Sequence, residues 1–390
     1  MENKLQQYFP MIRTKEELLS EIHNNKKMHR IFDSWQEEQQ KEFVDFCTGV
    51  RGVKMMYDFM SKEILNPEAT PERVDEFLSL LLKQKVHVVE VLPNDGARLA
   101  DESSLVVMDI VVQLEDGSIA NLEIQKIGYH FPGERSACYS ADLLLRQYKR
   151  VRSRRKKKFS YKDIKSVYTI VLFEHSPAEL KKFQNKYIHR FEQTSDTGVK
   201  LELLQKYIFV TLDIFGEIQH NESDNIKIQN RLEAWLAFMS LDAPEDVITI
   251  ISKYPDFKEL YGQVYDICQN IEGVMDMFSK ELRILDRNTV QLMIDEMQDE
   301  LEQKRDELRQ TNDELKQTND ELKQKSDELR QTNDELRQTN DELKQTNDEL
   351  KQTNDELKQT NDELKQKDKE LEELKKKYEQ VIKENKELRG

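Results

Sequence analysis

Hydrophobic positions change their period several times along the chain. In RIFDSWQEEQQKEFVDFCTGVRGVKMMYDFMSKEIL, apolar residues recur at helical spacing, which predicts a helical N-terminal region over residues 1–66. The next segment, NPEATPERVDEFLSLLLKQ, has the signals of a helix start: Thr70 at the N-cap, Pro71 at the first helical position and Glu72 in the first turn. Its apolar face runs through Val74, Phe77, Leu78 and Leu81.

After that helix the period drops to two. Residues 86–92 (VHVVEVL), 105–114 (LVVMDIVVQL) and 119–127 (IANLEIQKI) read as strands, and the four residues Glu115 to Ser118 between the last two give a hairpin signal. GERSACYSADLLLRQYKRV follows as a helix, then two β-branched and aromatic runs at 167–174 and 207–214. Meander strands followed by a crossover helix imply an α/β fold: a mixed sheet flanked by helices, over about 67–220. From Asn225 the pattern is helical again, predicting a helical extension over 221–288.

The last hundred residues behave differently. Leucine recurs every seventh residue from Leu301 to Leu371, and nine near-identical heptads of the DELKQTN type begin at Asp306. With Leu at d, the a positions hold Asn312, Asn319, Ser326, Asn333, Asn340, Asn347, Asn354 and Asn361, so the central seam has one apolar residue per heptad. Fuller a/d seams flank it, with Val290, Ile294, Met297 and Leu301 before, and Leu371, Leu374, Tyr378, Val381, Asn385 and Leu388 after. A long heptad-repeat helix over 289–390 is expected. It is either a stalk that pairs two copies as a homodimer through a coiled coil, or an expanded repeat of little consequence.

Composition sharpens this division. The chain has 390 residues, 35% charged and 37% hydrophobic, with net charge −16. All eight Pro lie at or before Pro255, and no Gly follows Gly273 until the last residue, so the C-terminal part lacks helix breakers. No apolar run is long enough to cross a membrane and the N-terminus has no signal-peptide pattern, so a cytoplasmic protein without membrane contact is expected. The three cysteines have neither zinc-site nor disulfide-framework spacing. The seven histidines form no metal-binding pair, and no phosphate-binding glycine loop is present. Charge is not uniform: Arg146 to Lys158 contains nine Lys or Arg and no acid, a stripe suited to phosphates.

The chemistry centres on the hairpin. A carboxylate inside VVMDIVV is costly to bury unless something compensates it. If Glu115, Asp116 and Gly117 form a three-residue loop with Gly117 left-handed, paired residue numbers sum to 232 and Asp109 sits opposite Glu123. That register gathers Asn121, Glu123 and Gln125 on one face, whereas a two-residue loop would place the two carboxylates on opposite faces. Facing carboxylates suit a hard divalent cation such as Mg²⁺, which activates water and offsets phosphoryl charge. A buried Arg or Lys between them, or a wet sheet edge, is the alternative.

These residues resemble a known family. The segments ESSLVVMDIVVQLEDGSIANLEIQKIGYHFPGERSACYSADLLLRQYKRV, FSYKDIKSVYTIVLFE, YIHRFEQTSDTG and YIFVTLDIF are similar to the PD-(D/E)XK nucleases, within them the recombination-promoting nuclease/putative transposase group, over roughly residues 8–298. The resemblance implies a restriction-endonuclease-like core and a metal-dependent DNA endonuclease that hydrolyses phosphodiesters with Mg²⁺ (or Mn²⁺) and promotes recombination. It assigns Asp109 and Glu123 as metal ligands and puts Gln125 where the superfamily usually has Lys, a variant this group uses. Gln can orient water or phosphate but adds no charge. Lys126 should face the opposite side of the strand. Glu90, Glu72, Asp75 and Glu76 are candidates for a further metal ligand.

On the following helix, Arg135, Tyr139, Asp142 and Arg146 fall on one face that could meet DNA, or simply be solvated, with Ala141, Leu144, Leu145 and Tyr148 on a core-like opposite face. Lys149, Arg150, Arg152, Arg154 and Arg155 lie in or beside RVRSRRKKKF, read as a flexible phosphate-binding loop or a plain solvated one. Two other functions fit the same residues: a catalytically decayed nucleic-acid-binding or coiled-coil scaffolding protein, and an RNA-directed nuclease.

Overall fold

The N-terminal helices begin where polar side chains satisfy free backbone N–H groups. In the computed structural model, which describes residues 3–92, 110–126, 132–220 and 226–387, α1 (Lys15–Asn24) opens on a capping box between Thr14 and Glu17, and α2 (Lys26–Asp33) opens on Asn25, whose side chain accepts from the backbone N–H of Lys27 and Met28. They are followed by α3 (Glu37–Cys47) and α4 (Asp58–Ile64). The fifth helix, α5 (Pro71–Leu82), starts at the expected proline and buries the expected Val74, Phe77, Leu78 and Leu81. Thr70 does occupy the N-cap, but its hydroxyl donates back to the carbonyl of Asn66 (3.2 Å) instead of capping.

The described strands form one mixed sheet of order β1-β2-β3-β4-β6-β5. They are β1 (Val88–Val91), β2 (Ile110–Leu114), β3 (Ile119–Gln125), β4 (Val167–Phe173), β5 (Ile188–Phe191) and β6 (Gln205–Thr211). β3, β4 and β6 run parallel, while β1, β2 and β5 are antiparallel to their neighbours. The crossover between β3 and β4 is α6 (Pro132–Arg155), and a short α7 (Ala178–Lys181) follows β4.

Alternation along the strands makes two different faces. Even-numbered residues, among them Ile110, Val112, Leu122, Ile170, Leu172 and Val210, join one large apolar cluster that extends from Leu5 to Phe278. It includes α8 (Leu212–His220), α9 (Arg231–Ser240), α10 (Pro244–Lys253), α11 (Phe257–Ile267) and the first turns of α12 (Ile271–Glu387). Odd-numbered residues make two small clusters, Val111, Ile119 and Val167 with Tyr139 and Leu143 of α6, and Val171, Phe173 and Phe209 with Leu180. The site lies on this thinner, more polar side.

Three elements depart from the sequence expectation. Residues 212–214 continue the apolar run of β6 but begin α8, because a short buried run has no period that separates strand from helix. The edge strand β5, half exposed and polar, carries no strand pattern of its own. The basic stretch expected as a loop is helix through Arg155 and a 3₁₀ turn over Lys156–Lys158, since nothing in it breaks a helix and cations suit a helix C-terminus.

By contacts the chain divides into Met1–Gln298 and Asp299–Gly390. In the second unit α12 continues to Glu387, and the d-position leucines from Leu301 to Leu371 stand 55–70% exposed. Among the described residues no helix is long and apolar enough to cross a membrane. In the first unit, Cys47 and Cys268 are both buried, and burial, with the neighbouring Cys268 thiol, pushes the Cys47 thiol well up.

Candidate active site

The β2–β3 turn fixes the site. Gly117 adopts φ +87°, its N–H donates to the Leu114 carbonyl (2.9 Å), and the Leu114 N–H donates to the Ser118 carbonyl (2.9 Å). The Asp116 side chain accepts from the Ser118 N–H (2.8 Å), which stiffens the three-residue loop. The ladder pairs Ile110 with Leu122, Val111 with Asn121, Val112 with Ala120 and Gln113 with Ile119, the register that sums to 232. Asp109 lies outside the described residues, one position before the first of these pairs.

Glu123 sits in mid-strand between Leu122 and Ile124 and is 7% exposed. The Asn121 amide, two residues earlier on the same face, donates to a Glu123 carboxylate oxygen (2.8 Å). That contact orients the carboxylate without neutralising it. The Asn121 side-chain oxygen is buried and has no hydrogen-bond partner among the described residues, and the same is true of the hydroxyls of Thr169, which pairs with Asn121 across the β3–β4 ladder, and of Thr211. Gln125 ends β3 half-buried, on the same strand face as Glu123, and its carbonyl accepts from the Glu174 N–H (2.8 Å).

A buried carboxylate with an orphaned amide oxygen beside it is a donor set of hard oxygens, which fits a Mg²⁺-type ion better than a soft metal. Among the described residues, however, no three His, Cys, Asp or Glu side chains converge.

Lys126 takes the other face of the strand, as alternation requires. Its ammonium forms an ion pair with Glu281 of α12 and lies 4.6 Å from the centroid of the Tyr57 ring. Glu42, hydrogen-bonded by Tyr57 (2.7 Å) and Lys54 (2.8 Å), stands behind it. Burial and the Glu42 carboxylate drive the Tyr57 hydroxyl far above the usual phenol range.

The acids considered as further ligands are engaged elsewhere, apart from the exposed Glu72. Asp75 accepts from the Val88 N–H (2.6 Å) and pairs with His87. Glu76 binds Arg231 (2.6 Å). Glu90 holds Arg150 and, at 3.7 Å, Arg154, tying the end of α6 to β1.

Helix α6 is rotated from the expected orientation. Its buried stripe is Ser136, Tyr139, Ser140, Leu143 and Gln147, while Ala141 and Leu145 face solvent, Leu145 at 59% exposure. The reason is visible in its polar contacts. The Gln147 amide donates to the Gly117 carbonyl (3.0 Å) and accepts from the Lys165 N–H (2.8 Å), and the Gln205 amide donates to the Ser140 hydroxyl (3.1 Å). These anchors turn the polar side inward. Tyr139 is therefore a core ring, its hydroxyl accepting from Arg135 Nε (2.8 Å), and Asp142 is nearly buried with Arg146 at 2.7 Å. Ser136, Ser140, Gln147 and Thr169 have no sequence signal beyond being polar; Asn121 has one, its period-two spacing from Glu123.

The basic residues divide by what they already hold. Arg150 and Arg154 meet Glu90, and Arg155 lies 4.0 Å from Asp163. Arg152 donates to the Tyr148 hydroxyl, and Lys149, exposed, has no acidic partner among the described residues.

Comparison with curated proteins and with solved structures gave no match. A family profile, PD-(D/E)XK nuclease family transposase, matches residues 55–292, more than half of the chain, and covers every described strand, helices α4 to α11 and the first turns of α12. With a mixed sheet flanked by helices, a restriction-endonuclease-like arrangement, and the hairpin carboxylate in place, the chain belongs to the PD-(D/E)XK nuclease family transposases.

Proposed function

We propose that this nuclease-family protein is a divalent-metal-dependent DNA endonuclease that hydrolyses phosphodiester bonds. The observation that carries the proposal is Glu123: a carboxylate in the sheet, oriented by Asn121 and flanked by an amide oxygen that no donor among the described residues satisfies. Glu123 and Asp109 would hold Mg²⁺ or Mn²⁺, and the observed register, which sums to 232, supports that pairing. When bound, such an ion lowers the pKa of water and offsets charge on the phosphate. Asn121 fixes which way the Glu123 carboxylate points. The Gln125 amide, neutral, orients the attacking water or a phosphate oxygen by hydrogen bonding, and Lys149, Arg152 and the helix-end arginines Arg150, Arg154 and Arg155 attract the phosphate backbone. Arg135, Arg146 and Tyr139 act indirectly in this reading, since the tyrosine ring packs in the core and orients Arg135.

The test is incubation of the full-length chain with supercoiled plasmid, with Mg²⁺, with Mn²⁺ and with chelator. Metal-dependent nicking that disappears in Asp109→Ala and Glu123→Ala supports the proposal. Intact plasmid under all conditions, or equal cutting by the variants, leaves nucleic-acid binding or scaffolding without catalysis as the function. Cleavage of structured RNA but not plasmid would move the substrate to RNA.

The tail of this proposed enzyme pairs with a second copy in parallel. Asn at a is tolerated opposite Asn in a parallel dimer, whereas an antiparallel pair sets it against Leu. Every e position of the nine heptads, from Arg309 to Lys365, is Arg or Lys, and the g positions are mostly Thr, so an antiparallel pair forces cation against cation all along the seam, whereas a parallel pair sets most of these cations against Thr. Sedimentation equilibrium of the full chain tests this, a monomer at tens of micromolar being the contrary result.

A further inference from the structure

The end of α6 carries three aromatic rings that the nuclease reading does not use, beside Arg152 and Lys149, which it does. Lys156 has φ +49°, a left-handed residue that reverses the chain after the helix, so that Phe159 and Tyr161 fold back on Tyr148. The three rings touch: Tyr148 and Phe159 edge to face at 5.6 Å, Phe159 and Tyr161 at 5.3 Å, and Tyr148 and Tyr161 nearly parallel, 14° apart, at 6.2 Å. The Arg152 guanidinium lies 5.6 Å from the Tyr148 centroid. A capping box between Ser160 and Asp163 holds the short turn Tyr161–Asp163. Tyr161 nevertheless remains 74% exposed, the most exposed aromatic ring among the described residues of the first unit.

The surroundings are cationic. Lys149, Lys156, Lys157 and Lys158 are exposed and have no acidic partner among the described residues. A rigid, exposed ring amid unpaired ammonium groups has the two attractions that bind unpaired nucleotides: a face for a base to stack on and cations for its phosphates. A duplex keeps its bases stacked on one another and offers the ring little, though its phosphates meet the same lysines.

We infer that Tyr148, Phe159 and Tyr161, with Arg152 and the Lys156–Lys158 turn, form a platform for single-stranded nucleic acid. The inference rests on the nucleic-acid reading above but not on cleavage. It adds a preference for unpaired strands at a place on α6 separate from Glu123.

The test is binding of full-length protein to a fluorescein-labelled 20-mer of deoxythymidine and to a duplex of equal length, both in EDTA, so that no cutting occurs. The single strand should bind more tightly. Tyr161→Ala should weaken it about tenfold and leave the duplex within twofold. Tyr161→Phe should restore the loss, which a purely structural role for the hydroxyl would not allow. Replacing Lys156, Lys157 and Lys158 together by Gln should flatten the salt dependence by about two ion releases for the single strand and nearly three for the duplex. Unchanged binding in Tyr161→Ala, no preference for the single strand, or no binding of either probe overturns the platform. Loss of this effect with plasmid cleavage intact removes the platform alone; the reverse pattern removes the nuclease.

Discussion

Lys126 is adjacent to the position where related nucleases place their catalytic lysine, and the structure gives it a different task that can be measured. Its ammonium and the Glu281 carboxylate form a pair with side-chain exposures of 15% and 6%, capped by the Tyr57 ring. Removing one member of such a pair strands the other, at a cost of about 3–5 kcal/mol. For a folded unit near 300 residues this lowers Tm by roughly 5–8 °C. Lys126→Met should therefore destabilise strongly, Glu281→Leu should do likewise, and the double substitution should recover most of the loss, because two apolar groups replace two charges. Thermal unfolding by circular dichroism supplies the numbers, and plasmid cleavage at a temperature where every variant is folded supplies the control. The strand-face reasoning gives Lys126→Met near wild-type cleavage per folded molecule. A variant that keeps its Tm and loses cleavage would refute it, and would put Lys126 into the reaction after all.

Other outcomes are expected from the same structure. Gln125→Ala should lower cleavage roughly 10²-fold, the scale for losing one oriented hydrogen-bond donor, with little change in Tm; an unchanged rate would show that Gln125 positions nothing. Gly117→Val forces a β-branched residue into φ +87° and should cost about 1–2 kcal/mol, read as a lower urea midpoint. Glu42 is pushed up by burial, but hydrogen bonds from Lys54 and Tyr57 outweigh this and hold it below its ordinary 4.5. Because the folded value is the lower one, its contribution is complete above pH 4.5 and disappears as pH falls through the depressed value; Glu42→Gln should flatten that acid limb in a Tm-versus-pH series. Exchanging Asn333 and Asn340 for Ile should tighten tail pairing by roughly tenfold or more, seen as a lower dissociation concentration in sedimentation.

The parts legible in the sequence were those with strong local rules. Pro71 and the i, i+3, i+4 leucines defined α5, and Gly117 with alternating side chains defined the hairpin to the residue, which is why Glu123, Gln125 and Lys126 occupy the strand faces expected of them. What failed were decisions made by tertiary contacts. The rotation of α6 is set by Gln147 reaching the turn carbonyl of Gly117 and by Ser140 meeting Gln205, partners distant in sequence, whereas its exposed leucine looked like core. Likewise the acids of α5 looked available until Val88, His87 and Arg231 took two of them. A short buried run such as Leu212–Ile214 holds no information that separates strand from helix without its neighbours.

The tail's uniformity has a consequence for how this protein varies. Since its heptads are nearly interchangeable, loss or gain of one repeat by slippage of the coding sequence changes the helix by about 10.5 Å and rotates the remainder of the helix by about 20°, while leaving the leucine stripe intact. In the proposed parallel dimer, identical repeats would also pair equally well when offset by seven, so alignment between the two copies would be left to the unlike sequences at either end, from Ile294 to Leu301 and from Leu371 to Val381. The middle is adjustable in length and the ends keep count.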